Sequence, residues 1–177
     1  MNDYEAWERG VGLMEGLRDR LPHNLRGQLR ELLASYRRHK GEVLTLTLTA
    51  GSGSICRDCG GQCCLNGKYR VSGLGLLALL DRQEPVPTPD FVRKPFCPYG
   101  DADGCRMEPS LRPLDCVLFI CTAVEGRLGD EVAKALTYLE QELRHSVKQA
   151  EALLEESLSR PLLLLAAHPG ATTGTNH

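Results

Sequence analysis

The chain is organised around residues 56–64, which read Cys56-Arg-Asp-Cys59-Gly-Gly-Gln-Cys63-Cys64. Four further cysteines follow downstream: Cys97, Cys105, Cys116 and Cys121. All eight cysteines of the protein therefore lie within residues 56–121, with the spacing C-x2-C-x3-C-C and then C-x7-C-x10-C-x4-C. Cysteines that serve only as small core residues would be scattered along the chain. Their clustering predicts that the thiols act together.

The rest of the sequence favours metal binding over disulfide formation. The N-terminus has no basic segment followed by an apolar run, so we expect no signal peptide. The most apolar run, residues 161–167, is far shorter than the roughly 20 residues that span a bilayer. We therefore expect a cytoplasmic protein, where clustered thiols bind metal or carry redox chemistry. Structural disulfides and unligated redox thiols are the weaker alternatives.

Thiolates are suitable ligands for two kinds of metal site. Four of them hold a structural zinc ion, with zinc–sulfur bonds of about 2.3 Å, and four also hold an iron–sulfur cluster. Spacing does not choose between Zn²⁺ and iron. Adjacent side chains point apart in extended backbone. One of the neighbours Cys63 and Cys64 can therefore reach a second ion, bridge two ions or stay a spare thiol. We expect one or two sites, with all eight cysteines as candidate ligands: Cys56, Cys59, Cys63, Cys64, Cys97, Cys105, Cys116 and Cys121.

Charge and composition exclude some functions. The net charge is −2 and aromatic residues are only 5% of the chain. The sequence therefore lacks the positive charge and the aromatic residues that would predict a nucleic-acid partner. Ionised thiolates would instead make the cysteine segment acidic. Five nearby cations are candidates to offset this charge: Arg57, Lys68, Arg70, Arg106 and Arg112. Arg112 is favoured among them.

Other candidate site residues are few. The histidines all lie outside the cysteine segment, and each is predicted to be a surface residue: His23, His39, His145, His168 and His177. No Ser/His/Asp set and no carboxylate pair stands out. Catalytic residues are therefore not assigned.

The N-terminal part, residues 1–50, predicts two helices and a short strand. Apolar residues recur every three or four positions over residues 3–21, with Asn2 or Asp3 as the cap and Pro22 as the stop. A second helix is predicted from Asn24 to the stop at Gly41. Residues 43–49 alternate between β-branched residues and leucine, which predicts a strand with one buried side.

The remaining segments are more loop-rich until the C-terminal helix. Ser72 is predicted to cap a helix over residues 74–82. In the cysteine segment, residues 51–125, turn-formers recur from residue 97 onward, so metal ligation is expected to hold it. Residues 130–159 carry an apolar stripe that predicts a helix packed on the N-terminal pair. A coiled-coil arm in a homodimer is the alternative.

Together these segments predict one domain over residues 1–177. Its fold class is mainly α with minor β, a small helical domain built around a cysteine-rich metal-binding segment. The long C-terminal helix occupies residues 130–160, and residues 171–177 are predicted to be a disordered tail.

As a set, the cysteine motifs resemble the YkgJ-type cysteine-cluster family, a zinc- or iron-chelating domain. The resemblance covers residues 56–121 and rests on three blocks: Cys56-x2-Cys59-x3-Cys63-Cys64, then Phe96-Cys97-Pro98 with Gly104-Cys105, and Arg112-Pro113-x2-Cys116-x4-Cys121. The family often has an arginine where this chain has Val117, which weakens an anion-binding role there. A bacterial flagellin lysine methylase carries a related cluster.

Two functions follow from these residues and from the resemblance. The first is a non-catalytic metal-binding or metal-handling module, which the number of thiols supports directly. A protein partner is one candidate recipient for such a module. The second, implied by the resemblance alone, is a metal-cluster-dependent enzyme such as an S-adenosylmethionine-dependent protein lysine methylase-like protein. Whether the protein is an enzyme stays open at this point.

Overall fold

The computed structural model describes residues 1–59, 64–65, 67–93, 95–100 and 105–167. Within these ranges the chain forms eight α-helices and no β-sheet, which confirms the predicted mainly α fold class. Extended pairing in the same ranges is limited to two isolated bridges, Ser72 with Pro161 and Gly100 with Cys105. The predicted tail, residues 171–177, lies outside the described residues.

The helices are numbered in chain order. They are α1 (Asp3–Arg20), α2 (His23–Thr49), α3 (Ser52–Asp58), α4 (Gly73–Asp81), α5 (Leu114–Leu118), α6 (Thr122–Glu125), α7 (Asp130–Leu154) and α8 (Leu162–Ala167). Short 3₁₀ turns lie at Gly67–Tyr69, Phe91–Arg93 and Pro109–Leu111. In the described part of the chain, none of these helices is long and apolar enough to cross a membrane.

The predicted start of α1 is confirmed. The side chain of Asn2 accepts a hydrogen bond from the backbone N–H of Glu5 at 2.9 Å. The Glu5 carboxylate accepts in return from the N–H of Asn2 at 2.9 Å. This reciprocal pair is a capping box, which satisfies two backbone donors that have no partner inside the helix.

The predicted strand at residues 43–49 is wrong, because α2 continues through Gly41 to Thr49. The structure also starts α2 at His23, with Pro22 rather than Asn24 before it. Three threonine hydroxyls donate to backbone carbonyls three or four residues earlier, Thr45 to Gly41, Thr47 to Leu44 and Thr49 to Leu46. Such bonds allow threonine to sit in a helix. Alternation along the sequence was therefore misleading, and the buried positions follow the helical period instead.

The short helix α4 forms the centre of the fold. Ser72 caps it as predicted, its Oγ accepting from the N–H of Gly75 at 3.2 Å. Every residue from Gly73 to Leu80 is buried. A helix that is apolar on all sides is stable only when other elements surround it. Backbone bonds tie its start to the chain before α8, including Leu74 N–H to Leu158 O at 2.9 Å.

The long C-terminal helix α7 packs against α2, which confirms the predicted core helix for the second member of the N-terminal pair. Its buried positions repeat every three or four residues: Leu136, Leu139, Leu143, Ser146 and Ala150. The helix ends at Leu154, earlier than predicted, where Glu155 turns the chain with a positive φ of 53°. The apolar stripe is thus used for packing inside the chain.

Candidate metal centre

The first two cysteines lie on a helix rather than in a loop. Gly51 begins α3 with a φ of +84°, a conformation that favours glycine. Cys56 lies in the last turn of α3 and Cys59 follows directly as its C-terminal cap. Residues three apart share one face of a helix, and the Cys59 thiol donates to the Cys56 carbonyl oxygen at 3.4 Å. The predicted C-x2-C pair is therefore brought to one side of α3.

Cys121 stands at the start of the short helix α6. It is the N-cap residue of α6, and its carbonyl oxygen accepts from the N–H groups of Val124 and Glu125 at 2.9 Å. Helix α6 packs against α3. The guanidinium of Arg127, just after α6, lies beside Gly51 at the start of α3. We call Cys56, Cys59 and Cys121 the helix-borne cysteines.

A second group of thiols gathers around Cys116 on α5. Burial of its thiol raises the pKa of Cys116 above its usual range, while the charge of Arg70 lowers it. Three other thiols raise this pKa further: Cys97, Cys105 and Cys64. More than a third of the Cys116 residue is exposed, so water screens part of the effect of these charges. We call Cys64, Cys97, Cys105 and Cys116 the four-thiol cluster.

Local contacts explain how distant parts of the sequence meet in this cluster. A Cβ atom at Gly67 would lie only 2.5 Å from the Sγ atom of Cys97, so the turn after Cys64 passes directly beside that residue. Cys105 is placed by its bridge with Gly100 and by the bond from Arg106 N–H to Tyr99 O at 2.9 Å. Burial raises the pKa of Cys97, a bond from the Tyr99 backbone lowers it, and the charge of Cys105 raises it.

The thiols of this cluster do not converge on one point where a metal ion could sit. Among the described residues, no three Cys, His, Asp or Glu side chains are close enough to bind one ion. Cys63 lies outside the described residues, so its predicted role stays a prediction.

The predicted supporting cations have different partners. Arg70 and Arg106 lie within electrostatic range of the four-thiol cluster, where they lower the pKa of Cys116 and Cys97 respectively. Lys68 pairs with Asp3 at 3.0 Å. Arg112 donates to the Met107 carbonyl oxygen at 3.5 Å, so it supports the loop before α5. Arg57 lies on the exposed surface of α3.

The structure describes three of the five histidines. His39 and His145 line a groove between α2 and α7, and His23 is an exposed residue at the start of α2. His168 and His177 lie outside the described residues.

Sequence reasoning missed two basic residues near the thiols. Arg93 lowers the pKa of Cys97. Lys40 lies on the buried face of α2, and the charge of Cys116 acts on it. Lys40 follows buried Tyr36 by four residues and precedes buried Val43 by three, so a helix extended through Gly41 would have placed it on the apolar stripe. The assumed helix stop at Gly41 concealed that signal.

Comparisons with models of known protein families, with curated proteins and with solved structures found no match. The resemblance to the YkgJ-type family therefore stays a prediction that rests on the cysteine motifs.

Proposed function

We propose that this protein binds zinc or an iron–sulfur cluster through its cysteines and acts as a metal-binding or metal-handling module. The observation that supports this most is the approach of cysteine-bearing segments that are far apart in the sequence: the turn at Gly67, three residues after Cys64, passes directly beside Cys97, and Cys105 is bridged to Gly100. Thiolates are soft ligands that select zinc, copper(I) or iron–sulfur clusters. The four-thiol cluster is the proposed principal site. No three of its described thiols are close enough in this structure to hold one ion, so metal binding would have to draw them together.

The surroundings of the four-thiol cluster fit such a site. Arg70, Arg93 and Arg106 place positive charge near thiols that must lose protons to bind metal. The segment between Cys97 and α5 is held by turns and short 3₁₀ pieces in its described part, so ligand bonds would add order there. Metal binding is therefore expected to be coupled to local folding of the cysteine segment.

Elemental analysis of anaerobically purified protein tests the proposal. We expect at least about one equivalent of zinc or iron per chain, since a complete thiolate set holds one ion or one cluster. Broad visible absorption would identify an iron–sulfur cluster, whereas a colourless protein with bound zinc would identify a zinc site. A chain that contains less than one equivalent of either metal would contradict the proposal.

Replacing Cys116 by serine is expected to remove the metal of the four-thiol cluster. Loss of a ligand should weaken affinity by more than the about 10- to 100-fold that is typical of partners outside the ligand shell. The Cys121→Ser variant tests the division of the cysteines, because it should leave metal in the four-thiol cluster. Ser159→Ala, at an exposed position after α7 and outside the cysteine segment, is the control. Unchanged metal content in Cys116→Ser would show that this cluster is not the principal site.

A further inference from the structure

Two of the helix-borne cysteines, Cys56 and Cys59, have no part in the proposed principal site. The structure holds both as thiols rather than in a disulfide. Cys56 is exposed and Cys59 is half-buried, so a reagent in solution can reach the pair. Thiol reactivity depends on such access. Two accessible thiols on one side of a helix can react with each other as well as bind metal.

The geometry at the end of α3 suits a disulfide between these two residues. In a helix, Cα atoms three residues apart are about 5 Å from each other, within the about 4.4–6.8 Å that a disulfide spans. The Cys59 Sγ atom already points back towards Cys56, since it lies 3.4 Å from the Cys56 carbonyl oxygen. Cβ atoms at this spacing are about 5–6 Å apart, and a disulfide needs about 3.5–4.5 Å. The last turn must therefore tighten by about 1–2 Å.

The end of α3 can tighten at little cost. This helix has seven residues, and all of them are at least partly exposed. Cys59 is its C-terminal cap, and its N–H group is shared between the carbonyl oxygens of Arg57 and Ile55. Shared bonds of this kind are common where a helix ends. Movement of this last turn therefore leaves the buried core in place.

We propose that Cys56 and Cys59 form a reversible dithiol–disulfide pair that exchanges with small disulfides such as oxidised glutathione. The more exposed Cys56 attacks the glutathione disulfide as a thiolate, forms a mixed disulfide and releases one glutathione thiolate. The Cys59 thiolate then attacks the Cys56 sulfur and releases the second glutathione. The protein loses two electrons and two protons, and glutathione disulfide gains them to become two glutathione thiols. The pair lies outside the four-thiol cluster, so this exchange does not depend on metal binding there.

The test follows thiol exchange in the full chain after a chelator has removed any metal. Reduced protein is equilibrated anaerobically with glutathione and its disulfide, quenched with an alkylating agent and digested with trypsin. Trypsin cleaves after Arg57, so Cys56 and Cys59 fall on different peptides and their bond appears in mass spectrometry as a cross-link. Fragmentation of the cross-link identifies the bonded cysteine, because the peptide with Cys59 also holds Cys63 and Cys64. We expect Cys56–Cys59 to be the principal disulfide.

Two serine variants separate this pair from the other thiols. In Cys59→Ser, the mixed disulfide at Cys56 should be at least about tenfold more abundant than in the parent chain at about 0.1 mM glutathione, because a neighbouring thiol acts at a millimolar effective concentration. Cys121→Ser is the matched control, since it removes a thiol from α6, which packs against α3. It should form the Cys56–Cys59 bond as the parent chain does.

Three results would overturn the inference: Cys56 bonded mainly to another cysteine, a parent chain that stops at the mixed disulfide, or a Cys59→Ser variant that resolves it as the parent does. A separate titration of the reduced parent chain with Zn²⁺ and iron tests the proposed function. If no metal is taken up there, the proposed function fails while the Cys56–Cys59 exchange should persist.

Discussion

A Gly67→Ala variant will unfold with a free energy about 2–3 kcal/mol below that of the parent chain, since overpacking of a tight contact typically costs about 1–3 kcal/mol. The new Cβ atom would lie 2.5 Å from Cys97 Sγ, 2.6 Å from Cys97 Cβ and 3.0 Å from Cys97 Cα. A rotamer change at Cys97 cannot relieve a contact with its Cα atom, so backbone must move. This movement would separate the turn after Cys64 from Cys97, and metal uptake should fall as well.

Urea unfolding of the apo protein and metal content of the purified protein measure the two effects. Gly75→Ala is a suitable control, because Gly75 is also buried but its new Cβ would find Ser72 Oγ at an ordinary 3.5 Å. That control should keep its metal and be at least as stable as the parent chain, because alanine has the better helix propensity. Parent-like stability in Gly67→Ala would mean that the turn and Cys97 are not in close contact.

Two glycines on α1 are expected to respond to alanine in opposite directions. At Gly10 a new Cβ would lie 2.6 Å from Leu162 Cγ and 3.0 Å from the Leu162 carbonyl oxygen, so Gly10→Ala should force α8 away from α1. We expect this to lower the free energy of unfolding by about 2 kcal/mol. At Gly12 a new Cβ would have no described atom outside its own helix within 4 Å. Alanine there should raise the free energy of unfolding by about 0.5–1 kcal/mol through its better helix propensity.

Thermal and urea unfolding of the two variants side by side measure this contrast. Because both substitutions are glycine to alanine in one helix, their propensity terms are similar and the difference reports the contact with Leu162. A stabilised Gly10→Ala variant would contradict the close packing of α1 and α8.

Helices with local signals could be predicted from the sequence alone. For α1 the capping residue Asn2 and the stop near Pro22 are both visible in the sequence. For α4, Ser72 and a continuous apolar run indicated a buried helix, and for α7 the 3.6-residue stripe indicated a core helix. These features act within a few residues of each other, so a single sequence contains them.

The end of α2 could not be read in the same way. Residues 43–49 have both a strand-like alternation and apolar positions at helical spacing, and the threonine side chains suit either structure. Packing of the buried Val43 and Thr47 within the fold, together with hydroxyl bonds to earlier carbonyls, decides in favour of the helix. Tertiary contacts thus outweigh local β-propensity here.

The candidate site was predicted as a list of cysteines, but their grouping was not predictable. Cys64 and Cys105 are brought into range of Cys116 by turns that close through Gly67 and the Gly100 bridge. Those contacts join residues far apart in the sequence, and spacing alone does not specify them. The buried position of Lys40 escaped prediction for a different reason: Gly41 was taken as the end of α2, so residue 40 was not counted in the apolar stripe.

X-ray absorption at the metal edge of anaerobically purified protein tests thiolate ligation most directly. Ligation by cysteine predicts that the atoms bonded to the metal are all sulfur, at about 2.3 Å, as in four-cysteine zinc and iron–sulfur sites. A first shell of nitrogen or oxygen at about 2.0–2.2 Å would contradict it, because the ion would then be held by histidine or carboxylate side chains and not by the cysteines.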